Sequence, residues 1–252
     1  MNYIGITGHR GSGKISIAYL IGNIIEGLKR NNDIQTIKNR YKECCESLRK
    51  DNYIIYNDPL FYVYFEEFGM QPKYFISQLL GTDLQVLNDD YMKDTLYVNL
   101  KDFTLNSSID DNFFKVAPKD FIVNPMVYNK QKYYMKLRDF IEVFSIDIMQ
   151  YYFGNDIWIK SLYRANERFG EDLEGWKIFF DVKTQSECKY IKEHGGFIIK
   201  TIRPNNKKTS TRLSNTNIEA DFILETEGKL EDLFDKIFEI SNNIYKKTKM
   251  TQ

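Results

Sequence analysis

The sequence is poor in the residues that most often form disulfides or metal sites. Its 252 residues include only three cysteines and two histidines. Cys44 and Cys45 are adjacent and rarely pair in that arrangement, and together with Cys188 they give no metal-binding spacing. His9 and His194 are too few to form a metal cluster by themselves. We therefore expect reduced cysteines and a cytoplasmic location.

Long apolar runs and an excess of one charge are also missing. No stretch approaches the ~18 consecutive apolar residues of a membrane-spanning helix, and the sequence starts with a strand pattern rather than a signal peptide. Basic and acidic residues number 35 each, which argues against a broad nucleic-acid-binding surface. Apolar residues make up 42%, enough for a sizeable core. We predict a single domain over residues 1–252 that binds neither nucleic acid nor membrane.

The most informative stretch is residues 4–16, IGITGHRGSGKIS. Gly8-x-x-x-x-Gly13-Lys14 stands between a short apolar strand pattern and a helical pattern, which is the spacing of a phosphate-binding loop. The glycines allow successive backbone N–H groups to point into one concavity, and the helix presents its N-terminus to the same anion. Lys14 adds a full positive charge near the β- and γ-phosphates. The predicted ATP-binding residues are Gly8, His9, Arg10, Gly11, Ser12, Gly13, Lys14, Ile15 and Ser16.

The loop departs from the strict motif at one position. The strict motif has Ser or Thr directly after the lysine as a Mg²⁺ ligand, whereas this chain has Ile15 there and its hydroxyl at Ser16. The alternative interpretation is a glycine-rich turn that binds no ligand. The order of strand, loop, lysine and helix favours the phosphate loop.

Apolar patterns along the chain alternate between strands and helices. Such alternation predicts βαβ units and a mostly parallel sheet, which binds ligands at the carboxyl ends of its strands. Asp58, Asp181 and Arg203 lie at the carboxyl ends of three predicted strands. The predicted strands cover residues 3–6, 53–56, 176–181, 197–202 and 221–224. The predicted helices cover residues 17–28, a segment from about 61 to 68, and residues 74–80, 133–153, 157–169, 186–193 and 230–245, and residues 83–125 are predicted to be irregular.

Several segments resemble bacteriophage deoxynucleoside monophosphate kinases, in the same order along the chain. Residues 178–187, IFFDVKTQSE, resemble the family's apolar strand with Asp-Val-Arg-x-x-x-Glu. Residues 195–204 resemble its Gly-Gly, strand and Arg-Pro, and residues 221–233 resemble its closing strand and helix. Asp156-Ile157-Trp158 resembles its Asp-x-Trp segment, and Ser16 stands where the family's Gly-Lys-Asp-Thr has its hydroxyl. The resemblance covers both ends of the chain and residues 133–233, and is weak over 83–130.

The resemblance implies a P-loop kinase-like parallel sheet flanked by helices, with a helical or irregular insertion at about 83–130 and a lid at about 203–216. It also implies ATP and Mg²⁺ as cofactors and a deoxynucleoside monophosphate as substrate. A viral member of the family would act in the host cytoplasm. A homodimer is one possible oligomeric state. The implied catalytic residues are Lys14, Arg138 and Lys183, and the metal-binding residues are Ser16 and Asp181. The implied substrate-binding residues are Asp58, Arg138, Trp158, Lys183 and Arg203.

The sequence departs from the family pattern at several of these places. Lys183 and Gln150 stand where arginines are expected, Ile15 removes an acid from the loop, and Arg212 begins a segment that replaces a His-x-Ser-Glu-like one. Asp58 lies in YNDPL, which resembles the family's Phe-Ala-Asp-Pro-Leu-Lys without its lysine. A second register would use Lys73 as that lysine, and we prefer the first because it follows a predicted strand.

Each implied site residue also has an ordinary structural interpretation. Asp181 could cap a helix or turn, Trp158 could belong to the core, and single arginines or lysines could be solvated surface charges. Arg164 and Arg168 share a helix face, which favours a surface role. The leading prediction is ATP-dependent phosphorylation of a deoxynucleoside monophosphate to the diphosphate. The alternatives are another small-molecule P-loop kinase, or a catalytically weakened relative that acts as a nucleotide-binding or interaction protein.

Overall fold

A computed structural model of the chain describes residues 1–9, 11–49, 62–107, 114–115, 133–168, 175–204 and 218–250. The chain divides into two compact units, Met1–Phe68 with Glu167–Gln252, and Gly69–Asn166. The assignment of the whole chain to one domain with an insertion at about 83–130 stays a prediction. No helix among the described residues is both long and apolar enough to span a membrane.

The elements follow one another in chain order. The strands are β1 (Asn2–Gly8), β2 (Val63–Glu66), β3 (Tyr97–Asn99), β4 (Leu105–Asn106), β5 (Phe114–Lys115), β6 (Tyr133–Lys136), β7 (Trp176–Phe179), β8 (Phe197–Ile202) and β9 (Phe222–Glu225). The α-helices are α1 (Lys14–Lys29), α2 (Ile34–Arg49), α3 (Met70–Leu80), α4 (Leu84–Asn88), α5 (Asp90–Thr95), α6 (Leu137–Glu142), α7 (Tyr151–Phe153), α8 (Ile157–Arg168), α9 (Gln185–Glu193) and α10 (Phe234–Met250). A π-helical segment covers Val143–Gln150, and a 3₁₀-helix covers Leu230–Leu233.

The first unit is built around a parallel sheet. Within the described residues it has five strands in the order β2-β7-β1-β8-β9, and each neighbouring pair is parallel. Ile4 of β1 lies opposite Ile178 of β7 and Phe197 of β8. The parallel sheet flanked by helices that we predicted is thereby confirmed. Its strands all end at one edge, which is where α/β sheets bind ligands.

Helices cover both faces of this sheet. Ile4 and Ile6 belong to an apolar cluster that also contains side chains of α1, α2 and α10. Gly5 faces the opposite side, where a Cβ atom would come within 2.6 Å of Ile191 of α9. A strand buried on both faces needs apolar residues in succession, and β1 and β8 supply them. The one long cation in β7, Lys177, is buried and forms an ion pair of 3.2 Å with Glu66 of β2.

The second unit has its own sheet and its own apolar cluster. Within the described residues the sheet order is β4-β3-β6-β5, in which β3 is antiparallel to β4 and β6, and β5 is parallel to β6. The cluster joins α3, α4, β3, β6, α6 and the start of the π-helical segment, through Ile76, Leu80, Leu87, Val98, Met135, Leu137, Phe140 and Val143.

Three secondary-structure predictions are wrong. Residues 63–66 form β2 instead of a helix, since Val63 and Phe65 pack in the space left by Gly22 of α1. Residues 83–106 are not irregular, because Asp83 and Asp89 cap α4 and α5 by accepting backbone hydrogen bonds, and β3 and β4 follow. The predicted helix at 133–153 begins with β6 and continues into the π-helical segment.

Other predictions agree with the structure or lie outside it. β8 has the predicted bounds, α9 begins one residue before its predicted start, and α3 ends at the expected Gly81. Residues 34–49, for which we made no prediction, form α2. Several predictions concern positions outside the described residues. These are the strand at 53–56, Asp58, Arg10, Arg212 and nearly all of the lid.

Candidate phosphate-binding site

The loop after β1 has the backbone shape that its glycines were expected to allow. Gly8 and Gly13 have φ of 150° and 82°, in the region that side chains other than glycine rarely adopt. The Ser12 amide donates to the carbonyl of His9 at 3.1 Å, which closes a turn inside the loop. Gly13 is the N-cap of α1, so the loop leads directly into the helix N-terminus. The amides of the first turn have no acceptor within the helix, and they suit an anion.

Lys14 folds back over the loop that precedes it. Its Nζ donates to the carbonyls of Gly8 at 2.9 Å and His9 at 3.1 Å. The same ammonium group lies 3.9 Å from Oδ1 of Asp181, which follows β7. Lys14 therefore stands at the carboxyl edge of the sheet, between the loop and an acidic residue that follows the neighbouring strand.

Asp181 also binds the second predicted catalytic lysine. Nζ of Lys183 lies 2.5 Å from Oδ2 of Asp181, so one carboxylate stands between two ammonium groups. The structure thus brings together three residues that were singled out separately: Lys14, Asp181 and Lys183. Lys14 and Lys183 place two ammonium groups at this edge, where each can attract a phosphate oxygen.

The surroundings shift the pKa values of both lysines. Burial lowers the pKa of Lys14, Asp181 acts in the opposite direction, and Lys183 lowers it further. For Lys183, desolvation lowers the pKa, but Asp181 and Glu67 raise it by more, so that its pKa lies above the ordinary value. Lys183 therefore keeps its charge over the whole physiological range.

Glu67 is a residue of this edge that the sequence prediction missed. It directly follows β2, and its carboxylate raises the pKa of Lys183. Because we predicted a helix over these residues, we did not recognise that Glu67 follows a strand. The signal was present in Val63-Tyr64-Phe65, a β-branched and aromatic run that favours a strand.

The turn that carries Lys183 is fixed by a capping box at the start of α9. Oε2 of Glu187 accepts hydrogen bonds from the amides of Lys183 at 2.6 Å and Thr184 at 2.9 Å. The hydroxyl of Thr184 accepts from the amide of Glu187 at 3.2 Å. Burial raises the pKa of Glu187 to about 7, against the lowering effect of these hydrogen bonds. The position of Lys183 thus depends on a buried carboxyl group.

The donor set at this edge fits a Mg²⁺ ion that is bound chiefly through phosphates. Among the described residues, no group of three or more His, Cys, Asp or Glu side chains could hold a metal by itself. Mg²⁺ commonly takes one or two protein oxygens, with phosphate oxygens and waters as its other ligands. Asp181 and the hydroxyl of Ser16 in the first turn of α1 are oxygens of that kind, whereas Ile15 is exposed and offers none.

Arg138 is held by two carboxylates within the second unit. Its Nε donates to Oδ1 of Asp94 at 2.5 Å, and its Nη2 donates to Oδ2 of Asp94 and Oδ1 of Asp90, each at 3.0 Å. Lys93 lies 3.0 Å from the same oxygen of Asp90. The side chain is therefore ordered by α5, and its assignment to substrate stays a prediction.

The remaining predicted substrate residues differ in what surrounds them. Trp158 is buried, and its indole N–H donates to the carbonyl of Ser145 at 2.9 Å, which favours the core interpretation that we left open. Arg203 is exposed and directly follows β8 at the carboxyl edge of the first unit's sheet. Asp58 lies outside the described residues.

Comparison with known families agrees with the geometry. A family model described as deoxynucleotide monophosphate kinase matches residues 3–237, which is most of the chain. The match extends from β1 and the phosphate loop to α10. The resemblance found in the sequence is thereby confirmed. No curated protein matches the chain significantly.

Proposed function

Because the chain belongs to the deoxynucleotide monophosphate kinase family, we propose that it transfers the γ-phosphoryl group of ATP to a deoxynucleoside monophosphate. The products are ADP and the deoxynucleoside diphosphate. The observation that carries this proposal is the convergence of Lys14, Asp181 and Lys183 beside a glycine loop that leads into a helix N-terminus.

The loop and Lys14 are assigned to the donor nucleotide. Backbone amides at the start of α1 hold phosphate oxygens, and Lys14 exchanges its carbonyl partners for the β- and γ-phosphates. Phosphoryl transfer depends mainly on positioning and on neutralising the charge of the transferring group. A lysine that is already largely withdrawn from water provides both.

Lys183 is assigned to the transferring group or to the acceptor phosphate. Its pKa lies above the ordinary value, so it is a permanent cation at the carboxyl edge of the sheet. The reaction needs no general base among the side chains, since an acceptor phosphate is already ionised near neutral pH. Arg138 remains a proposed second cation for the acceptor.

Ser16 and Asp181 are assigned to the metal ion. When bound, Mg²⁺ neutralises the oxygens of the β- and γ-phosphates. Asp181 has a second task that does not depend on metal, because it orients Lys183 through their ion pair.

The decisive experiment measures ADP release with ATP, Mg²⁺ and each of the four common deoxynucleoside monophosphates in turn. Binding of ATP is measured in parallel by calorimetry. We expect turnover with at least one acceptor and none when the acceptor is omitted. Phosphorylation of a different small molecule alone would indicate another P-loop kinase.

Binding of ATP without turnover of any acceptor would instead indicate a weakened relative. That alternative is favoured by Ile15, because the position after Lys14 has no oxygen for a metal. It is also favoured by Lys183 in place of arginine, because a lysine cannot grip a phosphate through two parallel hydrogen bonds.

A further inference from the structure

Ser12 of the phosphate loop is anchored by two threonines that come from distant parts of the chain. Its hydroxyl lies 2.7 Å from Oγ1 of Thr201 on β8, and its carbonyl accepts from Oγ1 of Thr226 at 3.0 Å. Thr226 directly follows β9, and its hydroxyl also lies 3.3 Å from the carbonyl oxygen of Ile202, the longer of its two contacts. Ser12, Thr201 and Thr226 are 1%, 0% and 7% exposed, so water does not substitute for these bonds.

The direction of the hydrogen bonds follows from the number of protons. Oγ1 of Thr201 also donates to the carbonyl of Thr7 at 3.1 Å. A threonine hydroxyl has a single proton, so the proton between Ser12 and Thr201 comes from Ser12. The hydrogen bonds therefore run from Ser12 to Thr201 and from Thr201 to Thr7 near the end of β1. Thr7 and Ser12 lie on opposite sides of the turn in the loop, so Thr201 links the two sides.

Close packing leaves the start of the loop little freedom to move away from Thr201. A Cβ atom at Gly8 would lie 2.4 Å from Oγ1 and 2.5 Å from the carbonyl oxygen of Thr201, and 2.7 Å from Oγ of Ser12. Gly8 thus allows the backbone of the loop to lie directly against β8. The two ends of the loop are held by the same hydroxyl.

We propose that Thr201 and Thr226 are positioning residues for phosphate binding. They act through Ser12, and this role rests on the proposed nucleotide function. A loop of glycines has many conformations, and only one directs its amides into a single concavity. Buried hydrogen bonds that hold the loop in this conformation before phosphate binds reduce the conformational entropy that the loop loses on binding. The hydroxyl of Ser12 consequently faces the sheet. Ser12 therefore contributes to phosphate binding through its backbone and not through its hydroxyl.

The test compares Thr201→Val and Thr226→Val with the wild type and with Thr201→Ser. Valine keeps the branched shape and removes the hydroxyl, whereas serine keeps the hydroxyl. The control is Thr248→Val in α10, whose hydroxyl donates to the carbonyls of Ile244 and Tyr245 in its own helix. Calorimetry gives the Kd for ATP and for tripolyphosphate, a phosphate chain without base or sugar, at a temperature where circular dichroism shows every variant folded.

We expect each valine variant to weaken binding of both ligands about tenfold, the effect of losing one buried hydrogen bond. Thr201→Ser should bind within about twofold of the wild type, because the hydrogen bond is retained. Wherever turnover is measured, KM for ATP should rise more than kcat falls. A lower Tm with unchanged Kd for tripolyphosphate would mean that the threonines only stabilise the fold, and would overturn the proposal.

Tripolyphosphate separates this proposal from the proposed reaction. A wild-type protein that binds the phosphate chain but turns over no deoxynucleoside monophosphate contradicts the reaction and still allows the threonines to be tested. If Thr201→Val does not fold, the Kd of Thr226→Val for tripolyphosphate is compared with that of the wild type. A wild-type protein that binds no phosphate chain overturns both.

Discussion

Nζ of Lys183 lies 2.5 Å from Oδ2 of Asp181, and a single residue separates the two in the chain. Asp181 lies just beyond the end of β7, and its other oxygen faces Lys14. The ion pair orients Lys183 toward the same edge of the sheet as the loop. The ion pair gives Lys183 a defined partner, and its role at the phosphates stays a prediction.

Lys183→Ala should reduce kcat/KM for phosphoryl transfer by about 10- to 100-fold, because a fixed cation beside the phosphates is lost. Lys183→Arg should preserve or improve the rate, since a guanidinium group can bind phosphate through two hydrogen bonds. Steady-state kinetics with ATP and a panel of acceptors measures both. Lys189→Ala, an exposed lysine of α9, is the control. An unaffected Lys183→Ala enzyme would remove Lys183 from the site.

Lys14→Ala should abolish turnover while the fold is retained. Removal of a charge that stabilises the transferring phosphate is expected to cost about 10²–10³ in kcat. The rate is measured by ADP release and the fold by circular dichroism. Lys29→Ala, in the last turn of the same helix, should leave the rate unchanged. Wild-type turnover in a folded Lys14→Ala protein would contradict the phosphate-loop assignment.

Ser16→Ala should reduce activity at low Mg²⁺ and recover part of it as Mg²⁺ is raised. The hydroxyl is a hard oxygen ligand in the first turn of α1, whereas the exposed Ile15 side chain has no oxygen. Ile15→Ala should therefore have the smaller effect. A titration of the initial rate with Mg²⁺ compares the two variants with the wild type. Equal, small effects would leave Ser16 without a role at the metal.

Arg138→Ala should raise KM for the deoxynucleoside monophosphate about tenfold, as expected for a lost charged contact to phosphate. Asp94→Asn is the matched control, because it weakens the ion pair and keeps the guanidinium group. Its effect on KM should be smaller than that of Arg138→Ala. If both variants lower Tm and neither changes KM, the Asp90–Asp94–Arg138 group is structural.

Glu187→Gln should change how stability depends on pH. The folded pKa of Glu187 is about 7 against an ordinary 4.5, because the carboxyl group is buried. A raised folded pKa favours the protonated form, so its stabilising contribution is full below pH 4.5 and is lost as the pH rises to 7. Asp181 and Lys183 are the charged groups that act on it, with opposite signs.

Glutamine imitates the protonated acid at every pH. The free energy of unfolding of Glu187→Gln minus that of the wild type should therefore rise by about 1–3 kcal/mol between pH 4.5 and 7. Urea unfolding of both proteins across this range measures the difference, in which all other titrating groups cancel. A difference that does not change with pH would mean that Glu187 titrates normally.

Elements with regular patterns could be predicted, while contacts between distant residues could not. β8 was predicted to the residue because Phe197–Ile202 follows Gly195-Gly196 and is rich in β-branched side chains. The helix after the loop was predicted from its apolar spacing. β2 was missed because a run as short as Val63–Glu66 suits either a strand or a helix until its packing partner is known. Gly22 of α1 is that partner.

The site shows the same division. Lys14 was predicted from the loop motif, and Asp181 from its place at a strand end, because parallel strands end at one edge. Lys183 was predicted from the resemblance to the kinase family. The bond between Ser12 and Thr201 joins residues 189 apart, and that between Ser12 and Thr226 joins residues 214 apart. Hydroxyls at such separations have no signature in a single sequence. The ion pairs of Arg138 were hidden for the same reason.

The folded-back Lys14 has a thermodynamic consequence. Its side chain is 14% exposed, with the carbonyls of Gly8 and His9 as acceptors. Folding, and not nucleotide binding, has removed most of the water from this ammonium group. In the proposed function, an arriving phosphate would displace two neutral carbonyls rather than a full hydration shell. Burial of this charge opposes the stability of the unliganded protein. Under the proposed function, bound nucleotide would restore that stability, because a ligand that binds only the folded state stabilises it.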